Sequence, residues 1–167
     1  MEKNKQYSLS TRVVHGVGHK NAEGALSVPI YQTSTFVFDS AAQGGDRFAG
    51  RDSGFMYTRL GNPTTMRLEE TVADLEGGEE CVAFSSGMGA ISGTVLSLLR
   101  AGDHILVDRT LYGCTFSLFQ GKLPQFGIEV EFTDFSNLDE VQKLLRPDTR
   151  MVYFETPANP NMKIIDI

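Results

Sequence analysis

The residues best placed for chemistry lie in Phe84-Ser85-Ser86-Gly87-Met88-Gly89-Ala90, where a short apolar stretch runs into a helix through small residues. A helix start presents N–H groups without partners, and its dipole favours negative charge there. Ser85 and Ser86 add hydroxyls, while glycine at 87 and 89 removes side chains that would hold a phosphate away from the backbone. The junction suits a phosphorylated ligand. It equally suits a tight connection whose glycines only let helix and strand pack closely. Gly93 comes one place too late to complete the dinucleotide fingerprint, and no Gly-Lys-Ser/Thr ending marks a P-loop.

The elements needed to hold that junction follow a regular rhythm from Asn62 onward. Asn62-Pro63 offers an N-cap and a first-turn proline, Met66, Val72 and Leu75 recur at helical spacing, and Gly77-Gly78 ends the helix. Apolar runs at 81–84, 104–107, 128–132 and 151–154 predict strands. Helices are expected over 88–99, 111–123 and 138–145, the last stopped by Pro147. Alternating strands and helices with apolar strands predict an α/β fold with a mostly parallel sheet covered on both faces. The apolar run Met162 to Ile167 reads as a further strand-like piece, so the chain is expected to be the front part of a larger protein.

Residues 1 to about 61 differ. They are rich in Gly, Ser, Thr and Asn, with short apolar pieces and no sustained helical period. Tyr31, Phe36, Phe38, Phe48, Phe55 and Tyr57 favour an arm that orders on another subunit over a floppy tail.

Composition narrows the partners. A net charge of −6 argues against nucleic acid, which is held by Lys/Arg surfaces. No run approaches the ~20 apolar residues of a membrane span, and no apolar run follows the basic residues at the N-terminus, so a signal peptide is not expected. Cys81 and Cys114 make neither a disulfide framework nor a metal site, and Cys81 reads as a small core residue. A cytoplasmic protein is expected.

Ligands of open parallel sheets bind beyond the strand carboxyl ends. Three loops there carry suitable groups: Ser85 to Met88, Arg109 to Thr115, and Glu155 to Pro160. Together they offer an anion cradle, an aromatic face and an Asn between two prolines, which suits an aromatic phosphate ester.

Four pieces then carry a resemblance. Tyr57-Thr58-Arg59-Leu60-Gly61-Asn62-Pro63-Thr64, Ser85-Ser86-Gly87-Met88-Gly89-Ala90, Tyr112-Gly113-Cys114-Thr115 and Glu155-Thr156-Pro157-Ala158-Asn159-Pro160 occur in this order and context. In this the chain resembles the Cys/Met-metabolism enzymes, the pyridoxal-phosphate-dependent trans-sulfuration family. Cys114 after the Tyr-Gly pair is most similar to its methionine γ-lyase branch. The resemblance implies a fold type I transferase: an arm, residues 1–61, wrapping a neighbouring subunit, then the first part of the cofactor-binding α/β domain, residues 62–167.

It also implies roles. Gly87 and Met88, with Ser86 beside them, would bind the cofactor phosphate, and Tyr57 and Arg59 would reach it from the neighbouring subunit. Without the family, Arg59 reads as a solvated charge. Tyr112 would stack on the pyridine ring and act as an acid toward a leaving thiol, or else be an ordinary strand-end tyrosine. Asn159 would bind the cofactor's phenolic oxygen, with Asn-Pro turn chemistry as the alternative. Cys114 would lie near the substrate side chain or simply pack.

The implied reaction is α,γ-elimination of L-methionine in a homotetramer, with no metal. Cystathionine γ-lyase or γ-synthase chemistry, or a homoserine-ester sulfhydrylase, is the enzyme alternative. A non-catalytic phosphate-binding or interaction module is the alternative of another class. The cofactor-linking lysine and the ring-nitrogen carboxylate are implied to lie beyond residue 167. Lys3, Lys5, Lys20, Lys122, Lys143 and Lys163 all lack the family's lysine context, so residues 1–167 alone are expected to be inactive.

Overall fold

The structure, a computed structural model, describes residues 7–15, 21 and 23–167. It divides into two compact units, Met1–Ala83 and Phe84–Ile167. Lys3, Lys5, Lys20 and the N-terminal basic stretch lie outside the described residues.

In the first unit, polar contacts do most of the fixing. Helix α1 (Leu9–His15) meets α3 (Pro63–Glu76). There Arg12 donates from Nε to Asp74 Oδ2 at 2.8 Å and from its guanidinium to the Asp74 carbonyl. Helix α2 (Ala41–Phe48) was not expected. Its signal is short: Ser40 accepts from Gln43 N at 3.1 Å while Gln43 accepts from Asp39 N at 2.7 Å, a reciprocal cap. The expected helix after Asn62 forms as α3, with Asn62 capping Thr64 N at 2.8 Å and Gly77 closing it at φ 70°. That left-handed backbone is why glycine stands there.

The second unit is built on a parallel sheet of β1 (His104–Asp108), β2 (Glu129–Thr133) and β3 (Thr149–Tyr153), in the order β2-β1-β3. Strand β1 is buried at all five positions, as the centre of a sheet covered on both faces requires. Side chains alternate along it. Ile105 and Val107 join one cluster with Val95 of α4 (Gly87–Leu98), Leu99 just past its end and Phe119 of α5 (Gly113–Gly121). Leu106 joins Phe135 and Ile165 in another, flanked by Val141 and Leu144 of α6 (Leu138–Leu144). The expected helix over 111–123 is shorter, and a 3-10 turn, Leu123–Phe126, takes over its end because Pro124 has no N–H to continue the ladder.

Two expected strands do not form. Residues 81–84 and 162–167 run without ladder partners among the described residues. Val82 and Phe84 are exposed, and Cys81 is half-buried rather than in a core. A strand needs a neighbour for its N–H and C=O groups, which an apolar run does not by itself supply.

Candidate functional site

The first strand of this sheet, β1, has β2 on one side and β3 on the other, so the chain reverses its direction of travel between β1 and β3. Ligand crevices in such sheets open at that reversal, beyond the strand carboxyl ends. The loops after β1 and β3 meet there. Glu155 Oε2 accepts the backbone N–H of Tyr112 at 2.8 Å, and Glu155 Oε1 accepts the Tyr153 hydroxyl at 3.4 Å. Burial, with the Glu155 charge beside it, pushes the Tyr153 phenol up to about 12. Sequence reasoning missed Glu155 as a brace. Its signal was an acid directly following an apolar strand.

Tyr112 is the N-cap of α5 and makes no side-chain cap bond, so its ring is free of that duty and exposed. Cys114, also exposed, lies in the first turn of the same helix. A hydrogen bond with Cys114 raises the Tyr112 pKa from its ordinary value.

Ser86 is the N-cap of α4, its Oγ accepting from Gly89 N at 3.0 Å. That leaves the N–H groups of Gly87 and Met88 without acceptors among the described residues. The glycines divide by role. A Cβ at Gly93 would sit 2.7 Å from the Phe84 ring, and one at Gly89 would sit 3.1 Å from Ser86 Oγ, so both serve close packing. A Cβ at Gly87 would meet nothing within 4 Å. The packing reading therefore holds for two glycines, and the open approach for the third. Met88 is tied to α5, its sulfur accepting from buried Thr115 at 3.8 Å.

Asn159 is exposed, with no partner for its amide among the described residues. Its loop is shaped by neighbours: Ala158 N donates to Lys163 O at 2.9 Å and Met162 N to Ala158 O at 2.8 Å. Lys163 is not free for catalysis. Its amine holds Asp108 Oδ2 and Asp134 Oδ1, each at 2.8 Å. Desolvation opposes its charge, but the bonds to Asp108 and Asp134 outweigh that and raise its pKa. Chiefly through the Lys163 hydrogen bond, Asp134 falls to about 2.

Tyr57 and Arg59 belong to the first unit. The Arg59 guanidinium lies over the Tyr57 ring at 4.7 Å, and the two, with Thr58 and residues 31–34, line an open groove of about 630 Å³. Phe36 N donates to Met56 O at 3.1 Å and Thr58 N to Ser34 O at 2.9 Å across it. Buried Asn62 donates to Tyr31 O at 2.9 Å and to Thr58 Oγ1 at 3.0 Å, fixing both walls.

These groups suit a phosphorylated aromatic ring. Two unpartnered N–H groups beside an open approach fit a phosphate, the exposed Tyr112 fits a ring face, and the free Asn159 amide fits a ring oxygen. No cluster of metal ligands exists among the described residues, and no described helix is long and apolar enough to cross a membrane.

Reversal of the sheet together with an anion-ready helix start is the arrangement of an α/β protein suited to a phosphate-bearing ligand. Residues 10–167 match the sequence pattern of the Cys/Met metabolism PLP-dependent enzymes, and the chain belongs to that family. It is 60% identical over 163 residues to the L-methionine gamma-lyase of Fusobacterium nucleatum subsp. polymorphum, covering 98% of this chain and 41% of that protein. It is 45% identical over 161 residues to the cystathionine beta-lyase of Lactococcus lactis subsp. cremoris, covering 96% and 40%. A Campylobacter jejuni structure assigned as an O-acetylhomoserine (thiol)-lyase superposes with TM-score 0.87 at 32% identity, covering 96% of this chain and 40% of that one. That structure carries N′-pyridoxyl-lysine-5′-monophosphate. The chain thus spans about two fifths of the length of the relatives it matches. The family's cofactor is pyridoxal phosphate, which the residues above fit.

Proposed function

We propose that this chain is part of a pyridoxal-phosphate-dependent carbon–sulfur lyase that removes methanethiol from L-methionine by α,γ-elimination. The observation that carries the reading is the Tyr112–Cys114 pair at the start of α5, with Tyr112 braced by Glu155 at the reversal of the sheet. The 60% identity to a protein named L-methionine gamma-lyase supports it.

Gly87 and Met88 would hold the cofactor phosphate through N–H groups, with Ser86 keeping the helix start open. Tyr57 and Arg59 would reach the same phosphate from a neighbouring subunit, Arg as a charged fork. Tyr112 would stack on the ring and Asn159 would donate to its phenolic oxygen. Bound pyridoxal phosphate supplies an electron-accepting ring that acidifies the substrate's α-carbon. As the Cγ–S bond breaks, the pair left by proton loss at Cβ forms the Cβ=Cγ bond, the Cγ–S pair goes to sulfur, and the Tyr112 hydroxyl would give that sulfur its proton. With one water consumed, the products are methanethiol, 2-oxobutanoate and ammonia. Cys114 would border the methionine side chain. A cytoplasmic homotetramer with shared sites goes with this reading, as does catalysis by a lysine other than Lys163, so that residues 1–167 alone would be inactive.

In the full-length protein, Cys114→Gly is expected to shift the ratio of kcat/KM for methionine over cystathionine by roughly tenfold toward cystathionine. An unchanged ratio would remove Cys114 from substrate selection and the methionine assignment with it. The likeness to an O-acetylhomoserine (thiol)-lyase supports a second reading, thiol addition to a homoserine ester. Turnover of such an ester with sulfide, and not of methionine, would establish it.

A further inference from the structure

The loops carrying Tyr112 and Asn159 leave different strands, and an ion pair between buried Asp108 and half-buried Lys163, whose amine also holds Asp134, joins them. Asp108 ends β1 with no exposed surface. Its Oδ1 accepts Thr110 N at 2.7 Å, and its Oδ2 accepts Phe135 N at 2.8 Å and Lys163 Nζ at 2.8 Å. Thr110 stands two residues before Tyr112. The Lys163 carbonyl accepts the N–H of Ala158, the residue before Asn159. One carboxylate and one amine therefore fix the root of the Tyr112 loop and the return of the Asn159 loop.

Stability is a weak reason for such a pair, since apolar residues of similar volume commonly do as well in its place. Placement is a better one. The carboxylate bonds backbone N–H groups after two strands, and the amine comes from the segment after the third. The helix start at Gly87 and Met88 makes no bond to Asp108 or Lys163: Ser86 caps it, and Met88 touches Thr115, three residues past Tyr112 in α5.

The geometry points to Asp108 and Lys163 as positioning residues for the ring of the cofactor: they act through Tyr112 and Asn159 and leave the phosphate end alone. This rests on the site reading given under Proposed function. In the full-length protein, Lys163→Met removes the amine and keeps an apolar stem, while Lys163→Arg restores the charge. Should Lys163→Met fail to fold around the bare Asp108 carboxylate, the double variant Asp108→Asn with Lys163→Met removes the buried charge and leaves only the partly solvent-exposed carboxylate of Asp134.

Three quantities are read: the induced circular dichroism of bound pyridoxal phosphate, its equilibrium affinity, and the affinity for inorganic phosphate. Expected are loss of the induced signal and roughly tenfold weaker pyridoxal phosphate binding, with inorganic phosphate unchanged and Lys163→Arg close to wild type. Wild-type signal and affinity in the Lys163→Met variants would overturn the proposal. So would a parallel fall in both affinities, which a merely structural pair would give. A wild-type protein without any induced signal would instead sink the site reading, and the proposal with it.

Discussion

Residues 23–61 and the sheet unit solve the problem of holding a side chain in opposite ways. In the sheet unit, β1 is buried throughout and apolar clusters on both faces fix the strand ends from which Tyr112 and Asn159 loops depart. The earlier segment leaves large apolar groups in solvent, with Val37 at 92% and Leu26 at 89% exposure. It still positions Tyr57 and Arg59, but by backbone bonds and the amide of Asn62. The first design takes its precision from the hydrophobic effect. The second is a polar scaffold whose apolar side chains have found no cover within the described residues, which suits the proposal of an arm laid on a neighbouring subunit.

A graded series of truncations would break that contrast. Ile105→Ala should destabilise the sheet unit by about 2–5 kcal/mol, because a packed core cannot collapse around the lost methyls. Asn62→Ala should cost about 1–2 kcal/mol, from a lost cap and the bonds to Tyr31 and Thr58. Val37→Ala should stay within about 0.5 kcal/mol in a dissociated subunit. Denaturant unfolding followed by far-ultraviolet circular dichroism gives the order, and equal losses at 105 and 37 would refute the contrast.

A smaller effect sharpens it through pH. Tyr153 carries a phenol raised to about 12 in the fold against an ordinary 10.0. The folded state therefore holds a proton that the unfolded chain releases first, and stability is full below pH 10 and declines as pH rises toward 12. Tyr153→Phe should flatten the alkaline limb of the sheet unit's unfolding curve. An unchanged limb would show that burial of Tyr153 does not govern it.

Strands β1 to β3 were readable in the sequence because a run such as His104-Ile105-Leu106-Val107 can be satisfied only between two neighbours in a covered sheet. Helix α3 was readable because Asn62, Pro63 and Gly77 each leave a local stereochemical mark. Residues 81–84 misled for the same reason that β1 did not: apolar runs announce a wish for burial, while pairing depends on partners elsewhere. The candidate site residues were named from loops and resemblance, and the loops after β1 and β3 do converge. What stayed hidden was the wiring beneath them. Asp108, Glu155 and Lys163 act across 43 to 55 residues of chain, and no local pattern encodes such a span.

Those spans also set an order of events. Closing a longer loop costs more chain entropy before any contact rewards it, and the chain emerges from the ribosome one end first. Pairing of β1 with β2 needs nothing beyond residue 133, whereas the edge-on contact of Tyr153 with Phe119 of α5 and the grips of Glu155 on Tyr112 and of Lys163 on Asp108 arrive with the last segment. The helix start at Gly87 is thus available to phosphate while the ring-holding loops are still loose. Binding competence matures in two stages, anion first and aromatic ring second. Pulse-labelled amide exchange protecting Tyr112, whose N–H is held by Glu155, as early as Ile105 would contradict that sequence.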